Sequence, residues 1–283
     1  MQDNFSYEVA FSRNIGTLTQ EAQQLLRDSC IAIAGVGGTG GTTAEQLVRM
    51  GAGYLRIADH DSFEISNLNR QTGALVSTIG RKKTDVLYSH MKDINPDMRV
   101  DVFPEGVDLE NVVEFLDGAD VVVEMVDYFS PDSKLIIHKT ARANNQYVIS
   151  TPSSGFGAVV LCFDPAGPTI EELLRFPDDP DLVRRHRMGA KKLMGGDLEY
   201  LPSLYFEKFE QENYPSTVSP AVALAGAVTA TQTIKLLIYL EQKKDPARFK
   251  EYGQIEITTV PEVLRIDAWD EKHCLIANME ELK

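Results

Sequence analysis

The chain has 283 residues, 43% apolar and 25% charged, which suits a soluble globular protein with one large α/β domain, with or without a sizeable insertion. Its formal charge of −14 argues against a general affinity for nucleic acid or for anionic membranes. Three widely spaced cysteines (Cys30, Cys162 and Cys274) build no disulfide framework, and nothing before residue 30 reads as an export leader, so a reducing cytoplasm is the expected location.

In chain order, residues 1–29 begin polar and then place Leu18, Ala22, Leu25 and Leu26 at helical spacing, an arm followed by a helix. The apolar run Ile31 to Val36 predicts a buried strand, which feeds Gly35-Val36-Gly37-Gly38-Thr39-Gly40. Ala44, Leu47 and Val48 then continue as a helix. A second strand, Tyr54 to Ala58, ends on Asp59, about 20 residues beyond the glycines, as in a nucleotide-binding α/β unit. Gly35 permits the tight turn, Gly37 and Gly38 let phosphate approach the backbone, and Gly40 allows close helix packing. The helix N-terminus offers N–H groups to phosphate, and Asp59 is placed to accept hydrogen bonds from a ribose.

Residues 81–95 predict a helix ended by Asn95-Pro96, Arg99 to Phe103 a strand, and Glu110 to Leu116 a short helix. Asp120 to Val126 reads as a buried parallel strand, which leaves Asp127 at a C-terminal strand end, where open α/β sheets bind ligands. A helix over 132–145 and strands at Tyr147 to Ser150 and Gly157 to Phe163 follow. The fold class is therefore α/β, a Rossmann-like, doubly wound, mostly parallel sheet. Residues 164–218 break the rhythm with six prolines and the pair Gly195-Gly196, and read as an insert with two short helices. Within it, Arg184-Arg185-His186-Arg187 and Lys191-Lys192 make a basic island, which is either a solvated helix face or a lid for an anionic substrate. Ala221 to Leu240 approaches the length of a membrane span, but its central threonines, Gln232 and Lys235 favour a buried helix. Gln254 to Thr258 and Val263 to Ala268 both alternate and are expected to pair as antiparallel strands at the sheet edge.

The segment after Asp59 is unlike an ordinary loop. Asp59-His60-Asp61, Ser66-Asn67-Leu68-Asn69-Arg70-Gln71, Ile79-Gly80-Arg81-Lys82-Lys83 and Ile94-Asn95-Pro96 occur in order, followed by a strand closing on Asp127. This series resembles the ThiF/MoeB/HesA family, the ATP-dependent adenylating enzymes related to ubiquitin-activating enzymes. The resemblance covers roughly Phe11 to Ser154 and Ser219 to Asp267. It implies a single adenylation domain over 1–283, a homodimer, and Arg13 reaching the partner subunit's ATP. It also implies that the glycine loop, Asp59, Asp61 and Asn67 hold the nucleotide, that Arg70 and Lys83 stabilise phosphate charge, and that Asp127 binds Mg²⁺. Relatives often carry paired CxxC motifs for zinc, and some a nucleophilic cysteine. Neither occurs in the insert, so no zinc and no enzyme thioester are expected, and the residue after Asp127, commonly asparagine, is Tyr128 here.

Adenylation joins a carboxylate to the α-phosphate of ATP and expels pyrophosphate, so the site must cancel charge and align two anions. The leading expectation is activation of a carboxylate on a ubiquitin-like or sulfur-carrier protein, or on a peptide. The alternative is a tRNA-modifying dehydratase of the same superfamily, for which the acidic balance predicts weak RNA binding unless the basic island is the contact. An NAD-linked oxidoreductase accounts for the glycines and Asp59 but leaves Arg70, Lys83 and Asp127 unused. A silent scaffold predicts loss of those charges.

Overall fold

A computed structural model gives the fold and describes residues 5–127, 130–176, 200–211, 216–270 and 275–278. The helices are α1 (Tyr7–Ala10), α2 (Gln20–Asp28), α3 (Gly38–Arg49), α4 (Lys83–Ile94), α5 (Val112–Leu116), α6 (Pro131–Ala143), α7 (Ile170–Leu174), α8 (Ser203–Gln211) and α9 (Ser219–Lys244). The strands are β1 (Cys30–Ala34), β2 (Tyr54–Ala58), β3 (Arg99–Phe103), β4 (Val121–Glu124), β5 (Val148–Ser150), β6 (Ser153–Ser154), β7 (Gly157–Phe163), β8 (Glu262–Asp267) and β9 (Leu275–Asn278). They form one sheet in the order β3-β2-β1-β4-β5-β7-β8-β9, with β6 paired to β7. The first five of that order run parallel; β7, β8 and β9 join antiparallel.

Both faces of the parallel half are covered, which is why its strands are continuous apolar runs rather than alternating ones. In β1, Ile31 and Ile33 pack with Leu47 and Val48 of α3, Leu87 and Met91 of α4 and Leu236 of α9. Ala32 and Ala34 face the opposite layer, where Phe115 and Leu116 of α5 and Ile137 and Ala141 of α6 close the core. The small alanines on that face let α5 and α6 lie close to the sheet. α9 buries Ala225, Thr229, Ala230, Thr233 and Leu236, and the hydroxyls of Thr229 and Thr233 donate to the carbonyls one turn back, at 2.7 and 2.8 Å. Its polar content is thus absorbed within the helix, which lies against α3 and β7.

The expected strand at 254–258 does not form. Both edges of β8 are occupied, by β7 and β9, and the Ile255 amide donates instead to the Gln242 side chain at 3.2 Å. Gln242 also donates to the Phe249 and Gly253 carbonyls, so this segment is tied to the end of α9. Of the insert, α7 and α8 fall in the described residues; the basic island at 184–192, Tyr128 and Cys274 lie outside them. Cys30 and Cys162 are buried free thiols, and burial pushes Cys162 up to about 12, so it offers no nucleophile.

Candidate nucleotide site

The C-terminal ends of β1, β2 and β4 enclose a cavity of about 360 Å³, within the size range of small-molecule sites. Gly35 turns the chain out of β1 with φ +83°, and a Cβ there would overlap the Met125 carbonyl. Gly40 has no room for a side chain because the Gly35 carbonyl fills that space. The two glycines thus press the start of α3 against the β4 loop. No side chain caps α3 at Gly37, so its first-turn N–H groups face the cavity mouth, where Gly37 and Gly38 line the wall.

Asp59 is almost buried, and its two oxygens accept the Val36 and Asp61 amides, each at 2.9 Å. It therefore sets the shape of the glycine loop as well as lining the cavity. Buried Lys83, at the start of α4, donates to Asp61 at 2.7 Å and stands 4.0 Å from Asp59. Partial burial pushes the Asp61 carboxyl upward, but the Lys83 ammonium outweighs it and holds the group below its ordinary value. Arg70 donates to the Ser66 carbonyl at 3.0 Å and to Asn69 at 2.8 Å, which fixes its guanidinium on the cavity wall. Burial lowers its pKa, while the charge of Asp127 across the cavity opposes that drop. Asp127 lies in the loop after β4, and its carbonyl accepts the Ser130 amide at 3.1 Å.

The structure thus brings Gly35, Gly37, Gly38, Asp59, Asp61, Arg70, Lys83 and Asp127 to one cavity. Asn67 lies outside the cavity lining; its side-chain oxygen accepts the Glu64 amide at 3.0 Å and closes the Glu64–Asn67 turn. Gly40 acts by packing beneath the loop. Arg13 sits exposed in the short 3-10 turn Ser12–Asn14, outside the cavity lining.

Two features escaped the sequence reading. Gln71 lines the cavity beside Gly37, and its Oε1 is buried without a hydrogen-bond partner among the described residues. An acceptor stranded in a polar cavity fits a ligand that donates N–H or O–H groups. The second feature is Glu124, wholly buried at the end of β4. Its Oε1 accepts both the Val126 amide and the Lys134 ammonium at 2.7 Å, and His138 stands 3.5 Å from Oε2. Burial alone would raise this carboxyl, but Lys134, with His138, holds it down at about 2. The pair anchors the loop that presents Asp127. Its sequence signal is a glutamate inside an apolar strand run, which demands a cation nearby.

The ThiF family model matches residues 11–275. A tRNA threonylcarbamoyladenosine dehydratase of Bacillus subtilis is 38% identical over 118 residues, 41% of this chain and 46% of that protein, so the match takes in about half of the relative's length. The sulfur carrier protein ThiS adenylyltransferase of Escherichia coli is 26% identical over 233 residues, 82% of each chain. Among solved structures, the Escherichia coli tRNA N6-threonylcarbamoyladenosine dehydratase in complex with AMP superposes with a TM-score of 0.62 at 22% identity, covering 83% of this chain and 96% of that one, a likeness of fold. A glycine loop, an acidic strand end and a cation set on one Rossmann-like sheet, together with a family match over nearly the whole chain, lead to one conclusion: the chain belongs to the ThiF family.

Proposed function

We propose that this protein uses ATP to adenylate a carboxylate, and that the carboxylate is carried by a threonylcarbamoyl-modified adenosine in tRNA. The observation that carries the adenylation reading is the convergence of an uncapped α3 N-terminus, Arg70, Lys83 and Asp127 on one cavity. An anion next to an anion needs charge cancelled from several sides, and these groups supply it without a covalent enzyme step. The backbone of Gly37 and Gly38 takes phosphate, Asp59 and the unpartnered Gln71 oxygen suit ribose or adenine donors, and Arg70 and Lys83 face the phosphate charge. Asp127 offers the hard oxygen ligand that Mg²⁺ prefers. Arg13 is the candidate contribution from a second subunit.

The modified nucleoside takes precedence over a protein C-terminus because the Bacillus subtilis relative carries that activity at the higher identity. The match to the ThiS adenylyltransferase over 82% of each chain keeps a glycine-ended carrier protein as the second reading. Once the carboxylate is an acyl-adenylate, a nucleophile within the same nucleoside can displace AMP, with net loss of water. The buried thiols take no part in that chemistry.

Mg²⁺-dependent ATP–pyrophosphate exchange tests this reading, with an RNA hairpin bearing threonylcarbamoyladenosine as substrate. Exchange above background is expected, falling about 100- to 1,000-fold in Arg70→Ala and in Asp127→Ala. Exchange with a glycine-ended carrier protein but not with the hairpin would transfer the substrate to the second reading. No exchange alongside tight NAD binding would overturn adenylation.

A further inference from the structure

The antiparallel half of the sheet carries an aromatic stack that no step above uses. β6 and β7 meet in a two-residue turn at Gly155-Phe156, and β8 runs beside β7 with Asp267 opposite Gly157. That register puts Phe156, and Trp269 two residues past β8, at the sheet end where β1, β2 and β4 finish. Gly157 is required there, since a Cβ would stand 2.6 Å from the Ile266 carbonyl and 3.0 Å from the Asp267 Cα. Phe156 and Trp269 stack with centroids 5.0 Å apart and planes 25° apart; Tyr200 and Trp269 stack at 5.8 Å and 26°. Phe156 and Tyr200 are themselves 6.5 Å apart. A ring sandwiched between two others would hold them about 10 Å apart, so Phe156 and Tyr200 back the same face of the indole, and no ring among the described residues stacks on its other face. Trp269 is accordingly 62% exposed.

The stack is built rather than incidental. Asp267, 2% exposed, accepts the Tyr200 hydroxyl and the Trp269 amide, both at 2.9 Å, and the Tyr200 oxygen accepts the Phe156 amide at 2.9 Å. Arg265, 3.8 Å from Asp267, offsets its charge. A fixed, flat indole with an exposed face takes another planar ring at little entropic cost. From β4 to β8 is three strand spacings, about 14 Å, and Gly157 lies four residues, about 13 Å, beyond Leu161, the partner of Ser150, so the shelf and the cavity share one end of the sheet at a separation that a short stretch of RNA spans.

We propose that the exposed face of Trp269 is the stacking site for a nucleobase of the RNA substrate that flanks the modified one, while the modified nucleoside itself enters the nucleotide cavity. This rests on the RNA reading of the adenylation site. A base needs no phosphate contact to stack, so the shelf binds it without a cationic surface. The alternative occupant, an aromatic side chain of a peptide, is an outcome of the test.

Trp269 is the chain's one tryptophan, so emission excited selectively at the indole, beyond the absorption of the ten tyrosines, reports this shelf. Full-length protein is titrated with the hairpin bearing threonylcarbamoyladenosine and, separately, with a tyrosine-containing peptide ending in glycine; hairpin binding is measured in parallel by filter retention. Saturable quenching by the hairpin is expected, with about tenfold weaker retention for Trp269→Ala, retention within about threefold of wild type for Trp269→Phe, and ATP affinity unchanged in both. Hairpin retained without any change in emission overturns the shelf and leaves the RNA reading standing. Hairpin not retained while ATP still binds overturns the RNA reading, and the shelf proposal with it. Quenching by the peptide alone assigns the shelf to a peptide and overturns the nucleobase.

Discussion

The two halves of the sheet solve different problems. In the parallel half, backbone approaches backbone so closely at Gly35 and Gly40 that no side chain fits, and a buried Glu124–Lys134 pair fixes the loop beside them. In the antiparallel half, the end of the sheet is finished by side chains: an aromatic stack pinned by Asp267, next to an insert that reaches it through Tyr200. Backbone geometry of the first kind has few sequence solutions, so it produces a motif. Stacked side chains have many solutions, so this end of the sheet carries no pattern.

If that contrast holds, single changes in the glycine loop and the Glu124 pair are costly, and single changes in the exposed part of the aromatic stack are not. The largest expected effect is Lys134→Met, which strands the buried Glu124 charge and should cost about 3–5 kcal/mol in denaturant unfolding. The double variant Glu124→Gln with Lys134→Met removes both charges and should recover much of that loss. A double variant as unstable as the single would show that packing, not charge, holds the loop.

Next comes Gly40→Ala, where the new methyl must displace the Gly35 carbonyl. A loss of about 3 kcal/mol is expected, with ATP binding abolished in whatever remains folded. A melting temperature equal to wild type would break the claim that close approach shapes the loop.

Acid stability gives a comparable but graded effect. Glu124 titrates at 4.5 when unfolded and at about 2 when folded, so its contribution is complete above pH 4.5 and is lost as pH falls toward 2. That difference corresponds to about 3 kcal/mol. Melting temperature measured from pH 5 to pH 2.5 should fall less steeply in the Glu124→Gln, Lys134→Met double variant than in wild type. Parallel curves would remove Glu124 as the titrating group.

The smallest expected effect lies in the antiparallel half. Trp269→Ala should shift stability by less than about 0.5 kcal/mol, because the indole is mostly exposed. A shift of several kcal/mol would make the shelf part of the core and erase the contrast.

By itself the sequence determined the strand–glycine–helix–acid unit, the order of the parallel strands and of the helices between them, and the set Gly35, Gly37, Gly38, Asp59, Asp61, Arg70, Lys83 and Asp127 that lines the cavity. In each of these a steric or charge requirement is met by a few residue types at fixed spacing. Gly35, Asp59, Arg70, Lys83 and Asp127 were legible for that reason. The tertiary structure alone decided the rest. Alternation in 254–258 predicts a strand, but whether a segment pairs depends on a free edge, and β9 takes the edge of β8. That the Asn67 side-chain oxygen closes the Glu64–Asn67 turn is likewise visible only in the fold. Phe156, Tyr200 and Trp269 are far apart in the chain, and only the antiparallel register of β7 and β8 brings two of them together and lets the third stack on them. Local spacing encodes what one segment must do with its own backbone; contacts between distant segments depend on where the whole chain has already placed them.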